Sequence, residues 1–102
     1  KHSMKIATDK VYTFKLNSGE ELVAKVRTIN AEWIELESPV IVAPGPQGLG
    51  LVPAMFTANP QENPQLNIAT VAIYAPTDDS VRNRYLEATT GIKIPDKKII
   101  MG

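Results

Sequence analysis

The sequence predicts a mainly β domain: a small antiparallel barrel or sandwich of five strands followed by one C-terminal α-helix. Three observations predict it. Apolar and polar residues alternate with period two from Val11 to Leu16 and again from Glu21 to Ile29, as in half-buried strands. Turn-forming residues recur at short intervals between the apolar runs. After Pro76 the period lengthens to that of a helix. At 102 residues the chain has room for one domain, taken as 4–102, and its 43% hydrophobic and 22% charged residues are an ordinary globular mix.

In the first strand, 11–16, Tyr12, Phe14 and Leu16 share one face and Val11, Thr13 and Lys15 the other. Asn17-Ser18-Gly19 supplies residues that tolerate the positive φ of a tight hairpin. The second strand, 21–29, sets Leu22, Ala24, Val26 and Thr28 against Val23, Lys25 and Arg27. Asn30-Ala31 makes the next turn. The third strand, 33–42, carries Ile34, Leu36, Val40 and Val42 on one side and Glu35 and Glu37 on the other. Within it Pro39 cannot donate a ladder hydrogen bond, so it marks a bulge, a bend or an exposed edge. Five prolines and three glycines crowd residues 43–65. A fourth strand, 49–56, is expected between two proline-bearing loops, 43–48 and 57–65. The fifth, 67–75, is rich in β-branched residues. Thr77 or Asp78 can cap a helix over 78–90 that ends before Gly91, with Val81, Tyr85 and Ala88 as its apolar stripe and Leu86 beside it. Lys1-His2-Ser3 precedes Met4 and reads as a tag remnant.

Composition excludes several functions. With 11 basic and 11 acidic residues the net charge is zero, which argues against binding by non-specific phosphate attraction. There is no cysteine, and the single histidine is His2. Disulfides, thiolate chemistry, histidine triads and multi-histidine metal sites are therefore ruled out. No cofactor is expected, and no enzymatic activity. No apolar run reaches the ~20 residues of a membrane span, and no signal peptide stands at the start. A cytoplasmic location follows as the expectation.

Five strands in an open barrel leave two unpaired edges. The fourth and fifth strands carry no lysine or arginine to guard theirs, which favours pairing between identical subunits in a closed ring.

Leu16-Asn17-Ser18-Gly19-Glu20-Glu21-Leu22-Val23-Ala24-Lys25-Val26, then Ile29-Asn30 and Trp33-Ile34-Glu35-Leu36, resembles the first motif of Sm-like (LSm) proteins. Leu66-Asn67-Ile68-Ala69-Thr70-Val71-Ala72-Ile73 is similar to their second motif, in the style of the bacterial RNA chaperone Hfq. The proline-rich insert is like that of divergent, phage-borne members. The resemblance implies a strongly bent five-stranded antiparallel sheet, an open barrel, assembling into a homo-oligomeric ring of about five to seven subunits, with five favoured. In that family the fourth strand of one subunit pairs with the fifth of the next, and single-stranded RNA binds near the pore, using the turn after the second strand and the second motif. The chain departs from the pattern at several points. Ala24 replaces a glycine, Asn30 an acidic turn residue, and Ile34 falls near a base-reading asparagine. Where a cation is expected before the last strand, Gln65-Leu66 or Leu66-Asn67 stands instead. The helix follows the strands rather than preceding them.

The RNA-binding candidates are Asn30, Trp33, Gln65 and Asn67. Trp33 can stack on a base, or fill a barrel end or subunit interface, the commoner fate of tryptophan. Asn30 can hydrogen-bond a base or simply make its turn. Lys25 and Arg27 can hold phosphates, or form a solvated face paired with Glu35 or Glu37. Arg82 and Arg84, two apart on the helix, splay to different sides. Glu35 and Glu37 lack any partner for acid–base work. A protein-docking ring without RNA binding is the alternative reading.

Overall fold

The computed structural model describes residues 5–90. The expectations for residues 1–3, for Gly91 as helix stop and for the tail beyond it lie outside that span. The elements are β1 (Val11–Leu16), β2 (Glu21–Ile29), β3 (Trp33–Gly45), β4 (Gly48–Pro53), β5 (Gln65–Asn67), β6 (Val71–Pro76) and α1 (Asp79–Thr90), with one 3-10 turn, Ile68–Thr70, between β5 and β6. All strand pairs are antiparallel, in the order β4-β3-β2-β1-β6, and β5 pairs with β3 off that path. The sheet is not a closed barrel. Among the described residues the outer edges of β4 and β6 have no strand partner.

β1 and β2 occupy the expected residues, joined through Gly19 at φ +107°. Their alternation feeds two cores. Tyr12, Phe14, Leu22, Ala24 and Val26 join Ile34 and Leu36 in the first. Val11 and Val23 join Val40 and Tyr85 in the second, on the opposite face. β2 is thus buried on both sides over part of its length, which explains its near-continuous apolar run.

The single-face expectation for β3 is corrected by a bulge. Val23 pairs with Val40 and Lys25 with Glu37, so Ser38 and Pro39 together oppose Ala24. Ser38 takes φ 52° to accommodate the extra residue. Since the side-chain period is two, one added residue reverses every side chain beyond it. Ile34 and Leu36 therefore enter the first core, while Val40 and Val42 pack in the second.

Three further boundaries differ from expectation. β3 continues to Gly45 and turns directly into β4 through Pro46-Gln47, with Gly48 at φ +104°. The expected loop over 43–48 is the tip of a hairpin. β4 stops at Pro53 rather than at Phe56, because its partner strand there reaches the Ser38–Pro39 bulge and the pairing ends with the bond from Ala54 N to the Pro39 carbonyl at 3.0 Å; Met55 and Phe56 lie exposed in the connection that follows. The expected fifth strand is two. Asn67 Oδ1 accepts from Ala69 N at 2.9 Å, and Thr70 Oγ1 donates to the Asn67 carbonyl at 2.7 Å. These local bonds wind a 3-10 turn that redirects the chain from β3 to β1.

α1 begins one residue later than expected. Asp78 caps it, accepting from Ser80 N at 3.0 Å and Val81 N at 3.3 Å. The Ser80 hydroxyl also donates to the Asp78 carboxylate at 2.6 Å, and this bond first, then the two backbone ones, holds the Asp78 carboxyl below its usual range. Tyr85 is buried, Val81 and Leu86 pack beside it, and Ala88 is exposed rather than part of the stripe. The Tyr85 hydroxyl accepts from Lys25 N at 3.0 Å and donates to the Glu37 carbonyl at 2.6 Å. It bridges β2 and β3 where the bulge interrupts their ladder.

Candidate functional site

The pairing of β5 with the start of β3 gathers the sequence candidates at one end of the sheet. Trp33 lies opposite Asn67, and Glu35 opposite Gln65. The hydrogen bonds run elsewhere: Leu36 N to the Pro64 carbonyl and Ile68 N to the Glu32 carbonyl, each at 2.9 Å. Trp33–Asn67 and Glu35–Gln65 are therefore non-hydrogen-bonded pairs, the kind in which facing side chains stand closest. All four project from the same face, because they alternate in step along the two strands. Trp33 keeps 40% of its surface exposed, so its ring is available to a ligand.

Asn30 closes the adjoining turn. Its Oδ1 accepts from both Glu32 N and Trp33 N at 2.9 Å, and its own N–H donates to the Trp33 carbonyl at 2.9 Å. The Asn30 side-chain oxygen is spent on two backbone N–H groups of the β2–β3 turn, which leaves its Nδ2 donor pair for a ligand. The Asn67 oxygen accepts one N–H of the 3-10 turn, so Asn67 offers a ligand one acceptor site as well as its Nδ2 donors.

The sequence reading missed the membership of Glu35 in this group. Its carboxylate accepts from Asn63 Nδ2 at 2.8 Å and from Thr28 Oγ1 at 2.9 Å. Those hydrogen bonds, Asn63 first, hold the Glu35 carboxyl below its usual range, so it is charged at neutral pH. Period-two spacing places Glu35 on the face of Trp33, but only the β3–β5 register shows which side chains it joins.

The chain has no lysine or arginine between Arg27 and Arg82, and the field of Arg27 is the smallest of the influences on the Glu35 carboxyl. Arg27 is engaged by Asp9 at 2.6 Å and Glu37 at 3.6 Å. Arg82 contacts Asp79 at 3.4 Å, and Arg84 Nη2 donates to the Leu49 carbonyl at 2.6 Å. An arrangement of one indole, three amide side chains and one carboxylate can stack on and hydrogen-bond a planar polar group. It offers no pair of groups for proton transfer, and among the described residues no acidic or histidine cluster could hold a metal ion.

An open cleft of about 390 Å³ lies beside the bulge. Its walls include Ser38, Pro39, Pro53, Met55 and Pro60, with Glu37 and Glu62 at its margin. It follows from the path of the 54–64 connection across the bent strand, which no local pattern announces.

Compared with models of known protein families and with curated protein sequences, the chain matches none. Among the described residues no helix is long and apolar enough to cross a membrane.

Proposed function

We propose that this chain is the subunit of an Sm-like homo-oligomeric ring in the cytoplasm, of about five to seven copies with five favoured, joined edge to edge through β4 and β6. The observation that carries the reading is the pair of open sheet edges. Each bears an exposed apolar side chain, Val52 on β4 and Ile73 on β6, and neither strand holds a lysine or arginine. Monomeric proteins guard long edges with such charges. The bent antiparallel sheet supports the same reading, as does the pair of motifs that resembles the Sm-like family.

The ring then presents several copies of the face formed by Trp33, Asn67, Gln65 and Asn30. We assign that face to single-stranded RNA, held through its bases by stacking and amide hydrogen bonds. Many weak sites around one symmetric ring bind a strand more tightly than one site does. A second reading is favoured by a specific observation: the long cation-free stretch and the charged Glu35 within the face both oppose phosphate. On that reading the ring docks a protein and has no RNA affinity.

Light scattering on a gel-filtration column tests the ring; a monomer refutes it. Trp33 is the only tryptophan, so titration with a uridine-rich oligoribonucleotide can be followed by its fluorescence. Quenching that persists as salt rises supports base-mediated RNA binding. Affinity that falls steeply with salt indicates phosphate contacts elsewhere, and no quenching at any salt leaves the docking ring.

A further inference from the structure

The two open edges carry different backbone groups, and the difference selects one way of joining them. Ala54 N donates to the Pro39 carbonyl at 3.0 Å. With the β3–β4 register, this makes the outward-facing peptide groups of β4 those of Leu49, Leu51 and Pro53. Thr77 N donates to the Val11 carbonyl at 3.4 Å, so on β6 the outward residues are Tyr74 and Pro76. Ala72 falls in the bulge between Val71 and Ile73, where pairing with β1 slips by one residue. Each edge thus has one proline unable to donate.

Resting on the ring reading above, we infer that β4 pairs antiparallel with β6 of a second copy in a single register, Leu51 opposite Tyr74, and that Arg84 selects it. In this register Leu51 and Tyr74 exchange both backbone hydrogen bonds. Leu49 faces Pro76, which accepts from Leu49 N but has no N–H for the Leu49 carbonyl. That carbonyl already has a donor, the Arg84 guanidinium at 2.6 Å. Pro53 faces the Ala72 bulge, where its missing N–H costs nothing. On the other face Val52 meets Ile73, two apolar side chains that are 41% and 63% exposed in the single chain.

The neighbouring registers do worse. A two-residue slip one way sets Leu51 against the bulge, so the Leu51 pair loses its hydrogen bonds, and the Leu49 carbonyl, then bonded by Tyr74 N, gains from Arg84 only a second donor. A slip the other way sets Leu51 against Pro76 and Pro53 against Tyr74, placing both prolines within the pairing. Arg84 is here a positioning residue: it supplies from α1 the hydrogen bond that Pro76 cannot.

The chain has no cysteine, so crosslinking can be read against a clean background. In the inferred register Val52 and Ile73 form a non-hydrogen-bonded pair, with Cα atoms about 4.5 Å apart, within disulfide range. The double variant Val52→Cys/Ile73→Cys should form, under mild oxidation, a covalent ladder ending at the ring size. Gly50→Cys/Ile73→Cys, matched to the slipped register that sets Leu49 against Tyr74, should stay uncrosslinked; a side chain at Gly50 has room, its Cβ meeting the Ala43 carbonyl at 3.5 Å. Preferential crosslinking of the second pair overturns the register. Adding Arg84→Ala should let the second pair crosslink as well, with unchanged circular dichroism, and Arg84→Lys should restore part of the selectivity. Selectivity that survives Arg84→Ala overturns the role of Arg84. Light scattering on the reduced variants separates the two claims: a monomer refutes the ring itself, whereas an oligomer in which neither pair crosslinks refutes only this edge contact.

Discussion

Replacing Tyr85 by phenylalanine removes a single oxygen and leaves the packing volume of the ring intact. The structure allows the consequence to be worked out. That oxygen stands between Lys25 N, 3.0 Å away, and the Glu37 carbonyl, 2.6 Å away, beside the Ser38–Pro39 bulge. Tyr85 as a whole is 1% exposed. Without the hydroxyl, one donor and one acceptor of the main chain lose their partner together. An unsatisfied buried group costs about 1–3 kcal/mol, and the partial burial of this pair argues for about 2–3 kcal/mol in total. For a chain of this length that lowers the melting temperature by roughly 10–20 °C. Thermal and urea unfolding followed by circular dichroism, at matched protein concentration because assembly adds to stability, measures it. A Tyr85→Phe protein within about 0.5 kcal/mol of wild type would refute the view that this hydroxyl completes the β2–β3 ladder. The same hydroxyl carries a pH signature. Burial pushes its pKa up to about 12 from the ordinary 10. Below pH 10 it is neutral whether the chain is folded or unfolded. As pH rises from 10 through about 12 the unfolded chain releases the proton first, so stability is lost across that window. Tyr85→Phe should lack this component of the alkaline decline.

Other expectations follow from single geometric features. Ser38→Gly should raise stability by up to about 1 kcal/mol, since glycine takes the φ of 52° without the Cβ clash; a loss in urea unfolding would count against a left-handed residue there. Asn67→Ala should cost about 1 kcal/mol by removing the cap of the 3-10 turn, read in the same assay. Asn30→Ala should weaken oligoribonucleotide binding with the oligomer size unchanged; equal affinity would remove Asn30 from the RNA face. Trp33→Ala should weaken such binding by roughly tenfold, the loss of one stacked base, measured by filter retention because the fluorophore is gone.

The candidate face was legible in part. Trp33 and Asn67 stand out by residue type, and their neighbourhood needed only the correct pairing of two short apolar stretches. The charge of Glu35 within that face was hidden, because it depends on Asn63 and Thr28 arriving from separate segments. The local duties of the Asn30 and Asn67 carbonyl oxygens were likewise hidden, since either asparagine could have turned outward. Arg84 looked like one half of a poor clamp on a helix. Its partner is a backbone carbonyl on β4, for which sequence has no mark.

Legible along the chain is what is set within one turn or one strand: the period-two runs of β1 and β2, the Asn17–Gly19 hairpin, a helix cap at Thr77 or Asp78, and Val81 and Tyr85 as apolar helix positions. Alternation and capping are properties of neighbouring residues, so they can be read along the chain. Tertiary structure decided the rest. Pro39 signalled an irregularity, but only pairing with β2 showed that two residues oppose one, and that this sends Val40 and Val42 to the opposite face from Ile34 and Leu36. The apolar run from Asn67 to Ala75 could have continued as one strand. It breaks because β3 and β1 both have edges to fill and the chain between them has to turn. Those outcomes rest on contacts between residues far apart in the chain, and a local pattern is consistent with more than one of them.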